Sequence, residues 1–460
     1  MADFSTILQA PEIRALVQEN ILERAFHDAL FPKLLFRGEA TPQLWPANVG
    51  DTMVFTGVGL IKPKMKPLAP GSDPLPSSYQ YEQWNATLQQ YADTIDTNMP
   101  TSIVAIANLF MRNAQQLGLS AGQSLNRIVR DRMYNAALSG QSVVVGVQVA
   151  ATSIPVLRLN GFTRARNPAL SSGSPVRFDY VSASNPLPVV IGGSTAVNVI
   201  GFSSATAGDE VGPGTLLLSG PISCADRAEI KSVDASYIVR VGGGDTVDAL
   251  TSSDILKLSS IRAAVARFFQ QNVPEHADGR FHCHLDPTSQ AQVFSDDEFQ
   301  RLMTSLPDYY MYRQFALGEL LGTVFFRNSE CPVQETVETG PAGEFSQEDP
   351  FAGELVNASG VKVHRALFSS QGGVFEYYQD MNNLLTDAGI TGKVGDARIT
   401  NNGIEVFTER IQMILRAPLN RLQDTVAASW KFIGDWPVRT DATTGDAARY
   451  KRFVAIEHGA

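Results

Sequence analysis

Ile61-Lys-Pro-Lys-Met-Lys-Pro-Leu-Ala-Pro-Gly-Ser-Asp-Pro-Leu-Pro76 is the stretch on which the fold turns. Its five prolines each remove a backbone donor and fix φ, which forbids both a helix and a central strand. Upstream, Val49-Gly-Asp-Thr-Met-Val-Phe-Thr-Gly57 reads as a turn feeding a short strand. Downstream, Tyr79 to Leu88 alternates, with Tyr79 and Tyr81 on one face and Trp84, Ala86 and Leu88 on the other. Strand, stiff tip and returning strand make a long hairpin over 49–99. A two-stranded ribbon is marginal alone in water, so this one leans on a partner. The plainer reading is an irregular Pro-rich connection between small strands.

Working outward, Pro11 opens an amphipathic helix over 11–36 that carries Ile13, Leu16, Val17, Ile21 and Leu30. So much apolar surface near the N-terminus must dock, on the chain itself or on a neighbour. After the hairpin, Thr101 caps a helix through Leu117 that Gly118 ends. Ser120 or Ser124 begins a second, with Leu125, Ile128, Val129 and Met133 in a stripe that Ala136 and Ala137 extend, and Gly140 closes it. Residues 141–247 change texture. Short β-rich runs at 143–149, 154–159, 189–193, 215–220 and 236–244, punctuated by Gly, Pro, Ser and Asn, read as an all-β sandwich or small barrel inserted between helical stretches. Helical pattern returns over 251–273 and 288–305. Short strands lie at 280–285, 323–327, 361–368 and 374–377, and the tail has strand-like pieces at 403–416, 427–434 and 452–457. The fold class is α+β with no regular βαβ series.

Composition narrows the function. The 460 residues suggest two to four domains, and 44% hydrophobic with 18% charged residues is enough to build a core. Lys plus Arg number 37 against 47 Asp plus Glu, a formal charge of −10, which excludes a globally basic nucleic-acid binder or a polybasic membrane binder. Cys224, Cys283 and Cys331 are too few and too scattered for a disulfide framework or a metal knuckle. The start lacks a signal peptide, and no run approaches the roughly 18 apolar residues of a membrane helix, so the expectation is a soluble protein made in a reducing cytoplasm.

Catalytic signatures are missing: there is no G-x-S-x-G, H-E-x-x-H or EF-hand loop, and the loop around Lys393 lacks phosphate-loop spacing. The most tempting cluster is His282-Cys283-His284 with Asp286. On a strand the two imidazoles share a face, but a metal site would need a further ligand, such as His276 returning from a loop. A zinc-dependent hydrolase using His282, His284 and Asp286 is therefore the rival reading, and carbohydrate stacking on Tyr180 or Tyr237 a weaker one. The acidic runs Asp296–Glu298 and Glu344–Asp349 read as a solvated helix turn and a loop. No catalytic residue, cofactor or metal is expected.

The order of these pieces resembles the tailed-bacteriophage major capsid proteins of the HK97-like fold, in the podophage type with an inserted β domain. Val49-Gly-Asp-Thr-Met-Val54 looks like the start of that family's extended loop. Val129-Arg-Asp-Arg-Met-Tyr-Asn-Ala-Ala-Leu-Ser-Gly140 is similar to the helix before its insertion. Phe281-His-Cys-His-Leu-Asp-Pro287, then Asp296-Asp-Glu-Phe299, then Gly318-Glu-Leu-Leu-Gly322 match its strand, Asp-Pro step, helix and Gly-Glu-x-x-Gly turn. Ala417-Pro-Leu-Asn-Arg421 with Val426–Lys431 resembles its late segment and closing strand. The resemblance implies an N-terminal arm at 1–48, an extended loop at 49–99, a peripheral domain with spine helix at 100–140, an inserted β domain at 141–247, an axial domain at 248–424, and a return to the peripheral domain at 425–460. It implies hexamers and pentamers in an icosahedral shell, with scaffolding, portal and decoration proteins as partners. Packaged double-stranded DNA would be touched non-specifically, in a virion assembled in a host bacterium; an encapsulin-like compartment is the rival within the fold. Assembly contacts are then expected from Lys62, Lys64, Lys66, Tyr79, Tyr81 and Trp84. Some shells of this fold crosslink through lysine–asparagine bonds, but the three tip lysines read as ordinary solvated side chains.

Overall fold

The computed structural model describes residues 35–46, 50–58, 64–74, 81–98, 108–166, 178–193, 195–205, 210, 212–232, 238–244, 247–270, 272–304, 318–334, 361–379, 393–394, 397–400, 403–408, 411–416, 425–438 and 452–459. They divide between two compact units, one within Met1–Met53, Asn85–Arg130 and Val374–Pro437, the other within Val54–Trp84, Asp131–Gly373 and Val438–Ala460. Mixed helix and sheet agree with the α+β expectation.

The first unit is organised by the strand Thr425–Asp435. It pairs antiparallel with Gln89–Asn98 along ten residues and, on its other side, with Ile411–Arg416. Gly403–Thr408, Ala397–Thr400 and Lys393–Val394 continue the sheet, while Phe375–Tyr378 and Thr41–Leu44 complete it. Alternation along Thr425–Asp435 buries Ala428, Trp430 and Phe432, and the Phe432 ring stacks on Trp436 at 4.9 Å. The expected N-terminal helix lies almost wholly outside the described residues, but its last residue is placed. Phe36 is fully buried, and its N–H donates to Asn126 Oδ1 at 2.8 Å. Next to it, Arg37 holds Glu376 in a buried two-pronged ion pair. At this point the docking is onto the chain itself.

Two expected helices prove to be one. Asn108–Ala137 runs through Gly118 without a break, about 45 Å in 30 residues. A helical glycine costs only ~1 kcal/mol relative to alanine, and Gly118 is buried, so packing outweighs the propensity that marked it as a stop. Leu125, Val129 and Met133 are buried as their spacing predicted, and Gly140 (φ +78°) turns the chain out of the helix.

The second unit holds two β structures. Strands Gln141–Val143, Glu229–Ser232, Leu187–Ile191, Thr195–Ser204, Gly214–Cys224 and Gln148–Val156 lie side by side in that order. A Val144–Val156 bridge joins the ends, with Val145 N–H donating to Pro155 O and Leu157 N–H to Val143 O. The sheet thus closes on itself as a small barrel. Its inside is filled by Ile154, Val156, Leu187, Val189, Ile191, Val199, Leu216 and Ile230. Closure removes the unpaired edges that an open sheet would leave exposed.

The seven-stranded sheet runs Ile238–Arg240, Phe453–Gly459, Val363–Ser369, Phe281–Leu285, Thr323–Arg327 and Glu319–Leu320, with Val333–Gln334 beside Val363–Ser369. Phe281, Cys283, Leu285, Ala366, Phe368, Val454 and Ile456 share a core with Ile261, Val265 and Phe268 of the helix Leu258–Gln270 and Val293 of the helix Pro287–Ser295.

Three expectations change here. The helix expected from 251 begins at Leu258, because upstream donors find side chains instead: Leu256 N–H binds Gln292 Oε1 and Leu258 N–H binds Asp296 Oδ2. Asp296, extended and committed to that contact, also splits the expected 288–305 helix into Pro287–Ser295 and Asp297–Thr304. Residues 238–240, grouped by texture with 141–247, pair instead with Phe453–Gly459. The tail divides too. Thr425–Asp435 sits in the first unit's sheet while Phe453–Gly459 is central to the second's. Strand partners hundreds of residues away decide these boundaries, and composition carries no record of them.

Candidate assembly surface

The expected hairpin is a two-stranded ribbon of Thr52–Val58 and Tyr81–Thr87. At its base Leu88 N–H donates to Asp51 O at 2.8 Å, and Thr87 N–H to Asp435 Oδ2 at 3.0 Å. At its tip Ser72 N–H closes onto Ala69 O, with Pro70 and Gly71 (φ +85°) in the order that a type II turn uses. Every residue from 64 to 74 is exposed; Met65 is 91% and Leu68 57% exposed. Lys64 and Lys66 flank Met65 there, exposed as well. Lys62 and Tyr79 lie outside the described residues. Tyr81 and Trp84 are placed on the returning strand by their backbone, and farther along it Ala86 is fully buried.

The strand Phe281–Leu285 sorts its chemistry by alternation. Cys283 points into the core, where burial pushes its thiol well up and keeps it protonated. His282 and His284 take the other face. A turn with Gly279 at φ +74° brings His276 back beside His282, as a metal reading would need. The rings, however, stack in parallel at 4.0 Å and 8°, so a metal cannot lie in both ring planes. His282 Nε2 meets Asp278 at 3.0 Å.

Asp286 turns elsewhere. Its carboxylate caps the helix Pro287–Ser295 by accepting from the Thr288 and Ser289 N–H groups, and it takes the Ser289 hydroxyl and His364 Nδ1, the latter at 2.9 Å. Burial alone would raise its pKa; the hydrogen bonds from His364 and Ser289 outweigh that and hold it down to about 2. The three residues of the hydrolase reading are therefore not brought together. Ser289 Oγ also lies 2.8 Å from His458 Nε2, which puts Ser, His and Asp in one cluster. Yet Ser289 and His458 are completely buried, and Asp286 binds the serine rather than orienting the histidine. The cluster locks a helix N-terminus onto two strand ends and offers no place for a substrate.

Sequence reading missed His364, His458 and Ser289 as partners of Asp286. The Asp-Pro step signalled the helix start, but no spacing could link positions 286, 364 and 458. Tyr180, considered for sugar stacking, has Arg164 over its ring at 4.7 Å and Phe202 beside it at 5.9 Å. Tyr237 lies outside the described residues. Among the described residues, no helix is long and apolar enough to cross a membrane.

No family model matches the chain, and no curated protein matches it. Solved structures similar to it include phage capsids. The cyanophage Pam1 capsid subunit shares 10% identity over 94% of this chain and 92% of that one, with a TM-score of 0.49. The capsid of Ralstonia phage GP4 shares 12% over 94% and 92%, at 0.48, and that of cyanophage P-SCSP1u 10% over 92% and 88%, at 0.47.

Proposed function

We propose that this chain is a major capsid protein of the tailed-phage, HK97-like type, a structural subunit that builds an icosahedral shell and carries out no covalent chemistry. The observation that carries the reading is the ribbon tip. Met65 and Leu68 stand in solvent between lysines and prolines, at the end of a two-stranded ribbon too thin to be stable alone. A shell supplies what the ribbon lacks, because the same surface meets the same neighbour at every position. On this reading 49–99 is the extended loop lying over an adjacent subunit, with Lys62, Lys64, Lys66, Tyr79, Tyr81 and Trp84 as its contacts. The helix Asn108–Ala137 is the spine of the peripheral domain, the barrel is the inserted domain, and the seven-stranded sheet belongs to the axial domain. A chain of charge −10 also suits a container that must not hold packaged DNA tightly.

Deleting Lys62–Pro76 tests this. Electron microscopy of the wild-type chain should show closed particles, and the deletion protein should fold and form none. Particles of normal size from the deletion protein would overturn the reading.

A further inference from the structure

Four neighbouring barrel strands, Leu187–Ile191, Thr195–Ser204, Gly214–Cys224 and Gln148–Val156, contain no charged residue at all. In the chain as a whole 18% of residues are charged, and a solvent-facing surface ordinarily carries more. The inward positions of these strands fill the barrel. The outward positions present Val149, Ser153, Ala196, Asn198, Leu217 and Ser219. Val149 is 78% and Leu217 44% exposed, and the Asp226 carboxylate, which accepts from Gly146 N–H, marks the edge of the uncharged face. Leu217 sits in the middle, opposite Gly201 on one side and Ser153 on the other. Because Gly201 has no side chain, the Leu217 side chain lies across it, with Cδ1 3.1 Å from where a Cβ would stand. The barrel's strand charges, Glu229 and Lys231, are confined to the strand Glu229–Ser232.

We propose that this uncharged face is a contact between two copies of the chain, barrel against barrel. The argument is charge complementarity. Each copy carries −10, so copies repel, and they approach at least cost where neither presents a charge. Nucleic acid would call for a basic face and a cationic partner for an acidic one; a face with neither sign matches itself, as a two-fold contact requires. Four strands about 4.8 Å apart make a patch on the order of 400 Å². That is about half of what each partner of a stable dimer buries. The contact therefore forms only where other surfaces already hold the copies together, so the inference rests on the shell reading and names one of the shell's interfaces.

The test is crosslinking of the full chain in a Cys224→Ser background. Leu217→Cys or Val149→Cys, treated with a bis-maleimide, should give several-fold more covalent dimer than Lys231→Cys on the charged strand, with thermal unfolding unchanged. Leu217→Lys and Leu217→Glu should each lose assembled particles, and mixing the two variants should restore them. Particles that form without crosslinking at 217 or 149, or that tolerate both charges, overturn this inference and leave the shell reading standing. Dimers crosslinked at 217 in a chain that forms no particles would show a contact that holds by itself, and overturn its place as one of the shell's interfaces.

Discussion

Arg240 and Glu457 stand directly opposite each other on parallel strands, Arg240 Nε 2.9 Å from Glu457 Oε2, both buried. The other oxygen of Glu457 takes Arg365 Nε at 3.0 Å from the next strand. Arg240 also reaches Glu229 at 3.0 Å and Gln141 at 3.3 Å, both on barrel strands. One carboxylate thus pairs with two guanidiniums, and one of these ties the barrel to the seven-stranded sheet. Burial alone would raise the Glu457 pKa, but Arg240 and Arg365 outweigh it and hold the group ionised below the usual carboxylate range.

Glu457→Leu should therefore cost about 3–5 kcal/mol, because it removes the carboxylate shared by two buried guanidiniums, of which Arg240 keeps only Glu229. Urea unfolding measures the loss. Glu229→Gln should cost much less, since burial raises the Glu229 pKa despite Arg240. Equal losses from the two substitutions would contradict the central place given to Glu457.

Stability should fall on acidification from about pH 6.5 towards 4. Burial, reinforced by His364, lowers the His458 pKa from 6.5 to about 4, so the unfolded chain takes up a proton in this window before the native state does. Each pKa unit is worth about 1.4 kcal/mol, so His458 alone should remove on the order of 3 kcal/mol by pH 4. Asp286, held at about 2, adds a loss only below its ordinary 3.8. Urea midpoints at pH 7, 5.5 and 4.5 check the slope, and it should flatten in His458→Gln.

Gly161 has φ +79°, and a Cβ there would run into the backbone N of Gly140 and the Ser139 hydroxyl. Gly161→Ala should cost at least about 1–3 kcal/mol from the backbone conformation alone. The loss should appear as a lower midpoint in thermal unfolding, while alanine at Gly193, with open space around it, should not add a clash.

Met65→Ser with Leu68→Ser should leave unfolding unchanged to within about 0.5 kcal/mol, as exposed positions do. Particle yield, followed by sedimentation, should nevertheless drop sharply. A stability loss as large as that of a core substitution would mean that the tip is packed on its own chain.

Much of the local structure was legible before the tertiary structure. The strand–tip–strand pattern around Pro63 to Pro76, the stripe of Leu125, Val129 and Met133, and the alternation that sends Cys283 inward all follow from backbone geometry over a few residues. Gly118 misleads, because a propensity worth ~1 kcal/mol marks a boundary that buried packing overrules. Asp286 was singled out with the wrong companions: adjacency suggested His282 and His284, and the fold supplied His364 and Ser289.

What the amino-acid order settled by itself is whatever short-range sterics and periodicity control: where prolines stop regular structure, which faces of helices and strands are apolar, and the lack of a catalytic motif. Which strand lies beside which was settled only in three dimensions. The pairing of 238–240 with 453–459, the closing of the barrel at Val144 and Val156, and the gathering of Arg240, Arg365 and Glu457 bring together residues far apart in the chain. Their free energy exists only once the loops between them are closed, so no local window of sequence contains it.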